Sequence, residues 1–311
     1  MSQNFRFKDL FTEKLWTVET GYLSKAWKRT VRFTRVASYT LDTFAENRMG
    51  FQCVALSYFV TLAIVPMLAF IFAVSGGLGL EDKVTVFLNE VLPASFNYTP
   101  ILIEKAGNII DAAKSGPVGV VSALTFLWTI LWLMFQTERV FNNVWGIRKI
   151  PRNIFKRFGF YLGLLFLIPF VMIIFGYGIA FATNATKYIG LDTAEWRFFG
   201  RLLSWVGLYA ITALTLSAMY KFIPAAKVKY RYALHAALFD AVAFVVFQYL
   251  YLETQAFVGR LNAVYGVLAA IPLFLIWMNF SWQIIIYGAE LTRALQKVDS
   301  IPEIPDWDTD K

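Results

Sequence analysis

The chain has 311 residues, of which 58% are hydrophobic, 18% aromatic and 16% charged, with a formal net charge of +8. Soluble domains average about 25% charged residues, so there is too little polarity here to build the shell that a water-soluble fold of this size needs. One cysteine, Cys53, and one histidine, His235, exclude an intramolecular disulfide and the usual Cys/His metal site, and no cofactor or metal is expected.

Residues 1–51 read as a basic, amphipathic cytoplasmic segment. Over 9–35, Leu15, Val18, Tyr22 and Ala26 share one helical stripe beside Lys14, Lys25, Lys28, Arg29, Arg32 and Arg35. That pattern predicts an interfacial helix, its apolar side in lipid and its cations on anionic headgroups. The first strongly apolar run starts near Gln52, too late for the core of a signal peptide. It opens a membrane domain over 52–295. Six runs, 52–75, 117–137, 158–183, 199–222, 231–255 and 264–290, reach the roughly 20 residues that cross a bilayer. Lipid offers no hydrogen bonds, so only helices or closed barrels span it, and continuous apolar runs select helices. The expected fold is therefore all-α, a polytopic bundle of six transmembrane helices.

Between the first two runs, the loop 76–116 places Val84, Phe87, Leu88 and Val91, then Leu102, Ala106, Ile109 and Ala113, at helical spacing. Two amphipathic helices on the outer surface are expected there. Pro66, Pro169 and Pro272 fall inside three runs and predict bent or broken helices. The tail 296–311 is acidic and proline-containing and reads as disordered. Of the 29 Lys and Arg, 22 fall in 1–51, 138–157, 221–231 and 291–311, and seven in the alternate connections. The basic side faces the cytoplasm, which gives N-in, C-in.

Asp240 stands out, roughly 13–14 Å into the fifth run from Arg231. Intramembrane carboxylates are costly and face a bundle interior or a wet cavity. Asp240 is either an ion or substrate-pathway group or a neutral acid bonded to a neighbouring helix, for instance through Asn279. Phe244, Phe247 and Tyr251 share its face, so Tyr251 and Asn279 join it as candidate pathway residues. Asn279 also reads as polar glue between helices. His235 and Glu253 point the same way from opposite ends of the fifth run, too far apart for a relay. A second cluster gathers at the cytoplasmic end: Glu46 and Arg48 before the first run, Glu138, Arg139 and Asn142 after the second, Glu290 at the end of the sixth. It reads as an ion-paired ring or as a gate. No phosphate loop, dinucleotide fingerprint, serine-hydrolase elbow or zinc-protease motif occurs, so no enzyme is expected.

Four segments carry a resemblance: ALSYFVTLAIVPMLAF (55–70), ERVFNNVWGI (138–147), YKFIP (220–224) and NAVYGVLAAIPLFLIWMNFSWQIIIYGAEL (262–291). Together they resemble the YihY/BrkB family of bacterial inner-membrane proteins, over about residues 40–295. The resemblance implies six helices, agreeing with the count made from hydropathy, and an inner-membrane location. It marks Asn142, Trp145, Pro224, Asn262, Tyr265, Gly266, Gly288 and Glu290 as recurring positions; Asp240 matches none. The family was once labelled a tRNA-processing ribonuclease, a reading that fails here because no metal site or RNA-binding domain can be built. The expected function is a transporter or exporter of a lipid-like amphiphile, with membrane lipids as partners and no nucleic acid. A non-transporting scaffold or envelope-integrity factor is the alternative.

Overall fold

The computed structural model describes residues 24–77, 117–147, 194–259 and 263–298, together with 153, 155, 157, 159 and 163. The helices expected in 78–116, the third run apart from Gly159 and Gly163, Asn262 and the tail beyond Val298 lie outside the described residues.

Six helices are described: α1 (Lys25–Glu46), α2 (Met49–Gly77), α3 (Pro117–Val144), α4 (Ala194–Phe222), α5 (Tyr230–Gly259) and α6 (Ala263–Val298). Among the described residues there is no strand. Two stretches, Tyr230–Val258 and Pro272–Val298, are long and apolar enough to cross a membrane by length and composition. α2 and α6 run continuously through Pro66 and Pro272 rather than breaking there. α6 has 36 residues, roughly 54 Å at 1.5 Å each, and extends three residues past the expected end of the membrane domain.

The helix ends are written locally. Ser24 caps α1, its hydroxyl accepting from Trp27 N–H at 3.5 Å. α3 starts with proline, whose missing N–H costs nothing in a first turn. Its other end closes on Gly146 at φ +69°, with Ile147 N–H donating to Asn142 O and Gly146 N–H to Asn143 O, both at 2.9 Å. This paired return of two N–H groups to the last carbonyls needs a left-handed residue, which glycine supplies without strain. α1 turns into α2 through Asn47 and Arg48, and Arg48 takes φ +50° without being glycine.

α6 packs on all five other helices; α5 lies along one side of it and α2 along another, α4 lies on α5, and α3 on α2. α5 and α6 run antiparallel. Phe247 meets Phe280 with ring centres 5.8 Å apart, Tyr251 stacks on Trp277 at 5.3 Å, and Trp277 Nε1 donates to Gln248 Oε1 at 2.9 Å. Small residues, Ala233, Ala236, Ala237, Ala241 and Ala289, are buried where helix backbones approach closely. The buried core joins Phe44, Met49, Cys53 and Leu56 to Val140, Phe141, Val144, Leu216, Tyr220 and Ile286. It sits at the end of the bundle that carries the Lys/Arg-rich connections, called the basic end below. Outward faces are apolar too: Phe51, Val54, Trp128, Phe239 and Leu250 are exposed on the protein surface. Such faces are stable against lipid, not against water.

Candidate functional site

Asp240 is 5% exposed and accepts a hydrogen bond from the Tyr220 hydroxyl, which reaches it from α4. α6 closes over the pair with Gly288. A Cβ there would lie 2.6 Å from Asp240 Oδ2 and 2.7 Å from Tyr220 Cζ, and would overlap Tyr220 Oη. Glycine is needed at this position for room rather than for backbone freedom. Three helices thus meet on one polar contact: a carboxylate from α5, a phenol from α4 and a gap in the surface of α6.

The neighbour expected for Asp240 is not the one it has. The antiparallel register of α5 and α6 sets Phe280 against Phe247 and Gly288 against Asp240, so Asn279 lies about nine residues, or roughly 13 Å, along α6 from the carboxylate. Asn279 instead accepts from Gln283 Nε2 at 2.6 Å, its own helix one turn on, and its Nδ2 has no partner. Tyr251 is likewise distant from Asp240. It accepts from Gln255 Nε2 at 2.6 Å and stacks on Trp277. Asp240, Asn279 and Tyr251 are therefore two sites, one at the basic end and one in the opposite half.

The six-residue cluster at the basic end also divides. Glu46, Arg48 and Arg139 are exposed, whereas Glu138, Asn142 and Glu290 are buried. No ring of ion pairs joins the six. Consecutive helical residues point 100° apart, so Glu138 and Arg139 cannot both face inward. Glu138 pairs instead with Arg157, Nε to Oε2 at 2.6 Å, and the Arg157 guanidinium lies 4.8 Å from the Phe135 ring centre. Asn142 is a brace: its Nδ2 donates to Glu138 O and its Oδ1 accepts from Ala225 N–H, both at 2.8 Å. This ties the end of α3 to the connection between α4 and α5, where Pro224 is buried. Trp145 packs against the same core. Glu290 is 0% exposed and is bordered by Thr43, Asn47 and Arg293.

His235 bonds back to Arg231 O at 2.5 Å and is exposed, as is Glu253, so neither enters the site. Tyr265 and Gly266 lie in the first turn of α6. Tyr220 as the neighbour of Asp240 and Arg157 as the neighbour of Glu138 are not expected from the sequence. Tyr220 stands in the YKFIP segment, so a signal was present; nothing in the pattern paired it with Asp240.

The sequence profile of a family described as "Virulence factor BrkB" matches residues 40–310. A protein described as a UPF0761 membrane protein from Mannheimia succiniciproducens is 29% identical over 255 residues, 81% of this chain and 86% of its own length. One from Haemophilus influenzae, described in the same words, is 26% identical over 82% of this chain and 93% of its own. Another from Azotobacter vinelandii is 30% identical over 83% of this chain and 62% of its own. No solved structure matches the chain.

Proposed function

The chain belongs to the family described as Virulence factor BrkB and is a bacterial inner-membrane protein, and we propose that it moves a lipid-like amphiphile across that membrane. The proposal includes six transmembrane helices with both termini in the cytoplasm, as the apolar runs and the Lys/Arg bias require. No residue is assigned a catalytic role.

One observation carries the reading: a carboxylate, Asp240, is buried among α4, α5 and α6 at a three-helix contact. An apolar residue would fill such a position at lower cost, since intramembrane carboxylates are expensive to keep. The opposite half of α5 and α6 adds support. It presents Phe247, Tyr251, Trp277 and Phe280 together with Gln248 and Gln255, an aromatic surface with polar handles suited to an amphiphile. In this scheme the packed basic end is the closed inner gate, and the contact of Asp240 with Tyr220 and Gly288 is its latch.

The scaffold reading is favoured by a different feature of the same contact: Asp240 already has a hydrogen bond, from Tyr220, that a neutral acid could keep. Asp240→Asn separates the two. The amide keeps the volume and an acceptor for Tyr220 but cannot ionise. The transport reading expects a protein that inserts normally, loses about 1 kcal/mol of stability or less, and fails to move labelled lipid in proteoliposomes or to complement a deletion strain. Full activity of both Asp240→Asn and Asp240→Leu would remove Asp240 from any mechanism.

A further inference from the structure

α1 and α6 lie side by side and run in opposite directions. Phe44 stacks on Tyr287 with ring centres 3.8 Å apart. Further back along α1, Tyr39 meets the far end of α6: the Arg293 guanidinium lies 5.7 Å from its ring centre, and Lys297 Nζ donates to its hydroxyl at 3.1 Å. The docking side of α1 carries Val36, Thr40 and Phe44, all buried. The same stripe continues toward the start of the helix, at spacings of three or four residues, through Arg32, Arg29 and Lys25. These three are exposed. The stripe thus turns from apolar to basic near the level at which the described part of α6 stops, at Val298. From Tyr39 back to Lys25 is roughly 21 Å of helix, which extends past that level.

The chain that follows Val298 has the opposite charge. Residues 299–311 carry Asp299, Glu303, Asp306, Asp308 and Asp310 against Lys311 alone. We propose that this acidic segment docks on the basic stripe of α1 and continues the α1–α6 seam as a row of ion pairs. Direction and reach both fit. α6 delivers the segment alongside α1 and heading for its N-terminal end, and 13 extended residues span about 40 Å. α1 has no acidic residue in its first turn, so its early cations sit at the positive end of the helix dipole, and an anionic segment laid there relieves them. The rival occupant is a layer of anionic headgroups. Two features favour the tail. It is tethered within a few residues of the stripe, an effective concentration on the order of millimolar. Lys297 also stands roughly 10 Å along α6 past residue 290, where the sixth apolar run ends, and the stripe lies further out. The polar layer of a bilayer is about 5–8 Å deep, so the stripe faces water. The cations expected on headgroups are then held by the chain's own acids, whether or not the protein transports anything.

The test measures where the tail lies. In a Cys53→Ser background, spin labels at Thr30→Cys, exposed on α1, and Thr309→Cys report the separation of α1 and the tail by pulsed electron paramagnetic resonance. The full chain in phosphatidylcholine nanodiscs should give one narrow distance distribution at about 50 mM NaCl, broadening about twofold at about 500 mM as salt screens the pairs. Asp306→Asn, Asp308→Asn and Asp310→Asn together should give the broad distribution at low salt. Lys25→Glu, Arg29→Glu and Arg32→Glu together should do the same, and changing the three tail acids to lysine in that background should restore the narrow one. If the α1 variant does not fold, the tail variant decides. The narrow distribution should persist when about a third of the lipid is phosphatidylglycerol. Equal breadth in the unaltered and neutral tails would overturn the proposal. So would release of the tail by phosphatidylglycerol, which would assign the stripe to lipid.

Discussion

The two halves of the bundle are built on different principles. At the basic end, helices approach through alanine and Gly288, and Tyr220, Phe141, Met49 and Leu56 are almost wholly buried. Many of the buried polar groups there reach a neighbour on another helix or a backbone carbonyl. In the opposite half, α5 has no buried side chain between Val242 and Val258 among the described residues. Contacts there are made by half-exposed aromatic rings and glutamines. The first region resists movement because any shift breaks hydrogen bonds inside a close-packed interior. The second can slide at small cost.

Substitutions should sort by region. The largest effect is expected from Arg157→Met, which leaves Glu138 buried without its guanidinium and should cost about 3 kcal/mol, read as a fall in melting temperature by dye labelling of Cys53. Next is Gly288→Ala, which forces a methyl group against Tyr220 and Asp240 and should cost about 2 kcal/mol. Tyr220→Phe removes the atom that overlaps, so the double variant should recover part of that loss in a double-mutant cycle; purely additive effects would mean that α6 yields there and the end is not tight. The smallest effect belongs to the opposite half. Tyr251→Phe deletes one half-exposed hydroxyl and should change stability by about 0.5 kcal/mol or less. A loss as large as that of Gly288→Ala would erase the distinction between the regions.

The helices were legible because apolar runs bounded by basic connections leave the chain few alternatives. Each described helix lies on an expected run or on the interfacial segment, although α1 reaches Glu46, beyond the Arg35 at which the basic stripe ended. Asp240 was legible as an anomaly, a carboxylate deep in an apolar run. Its neighbours were not. Periodicity within one helix says which residues share a face, but which turn of the next helix meets that face depends on the axial register of the pair. Here close approach at Gly288 sets the register, and Asn279 lies more than two turns away. The supposed ring failed for a related reason. Topology places Glu46, Arg48, Glu138, Arg139 and Glu290 at one level but does not say which way each points, and the left-handed corner at Arg48 turns that side chain outward.

α6 has a consequence for how the protein is made. It touches each of the five other described helices, yet it is the last of them to leave the ribosome. Until it inserts, Asp240 and Tyr220 lack the cover of Gly288, Val144 O lacks the Arg293 guanidinium, and α1 has only α2 to pack on. The earlier helices can form two pairs, α2 with α3 and α4 with α5, and the arrival of one segment joins those pairs into a single bundle.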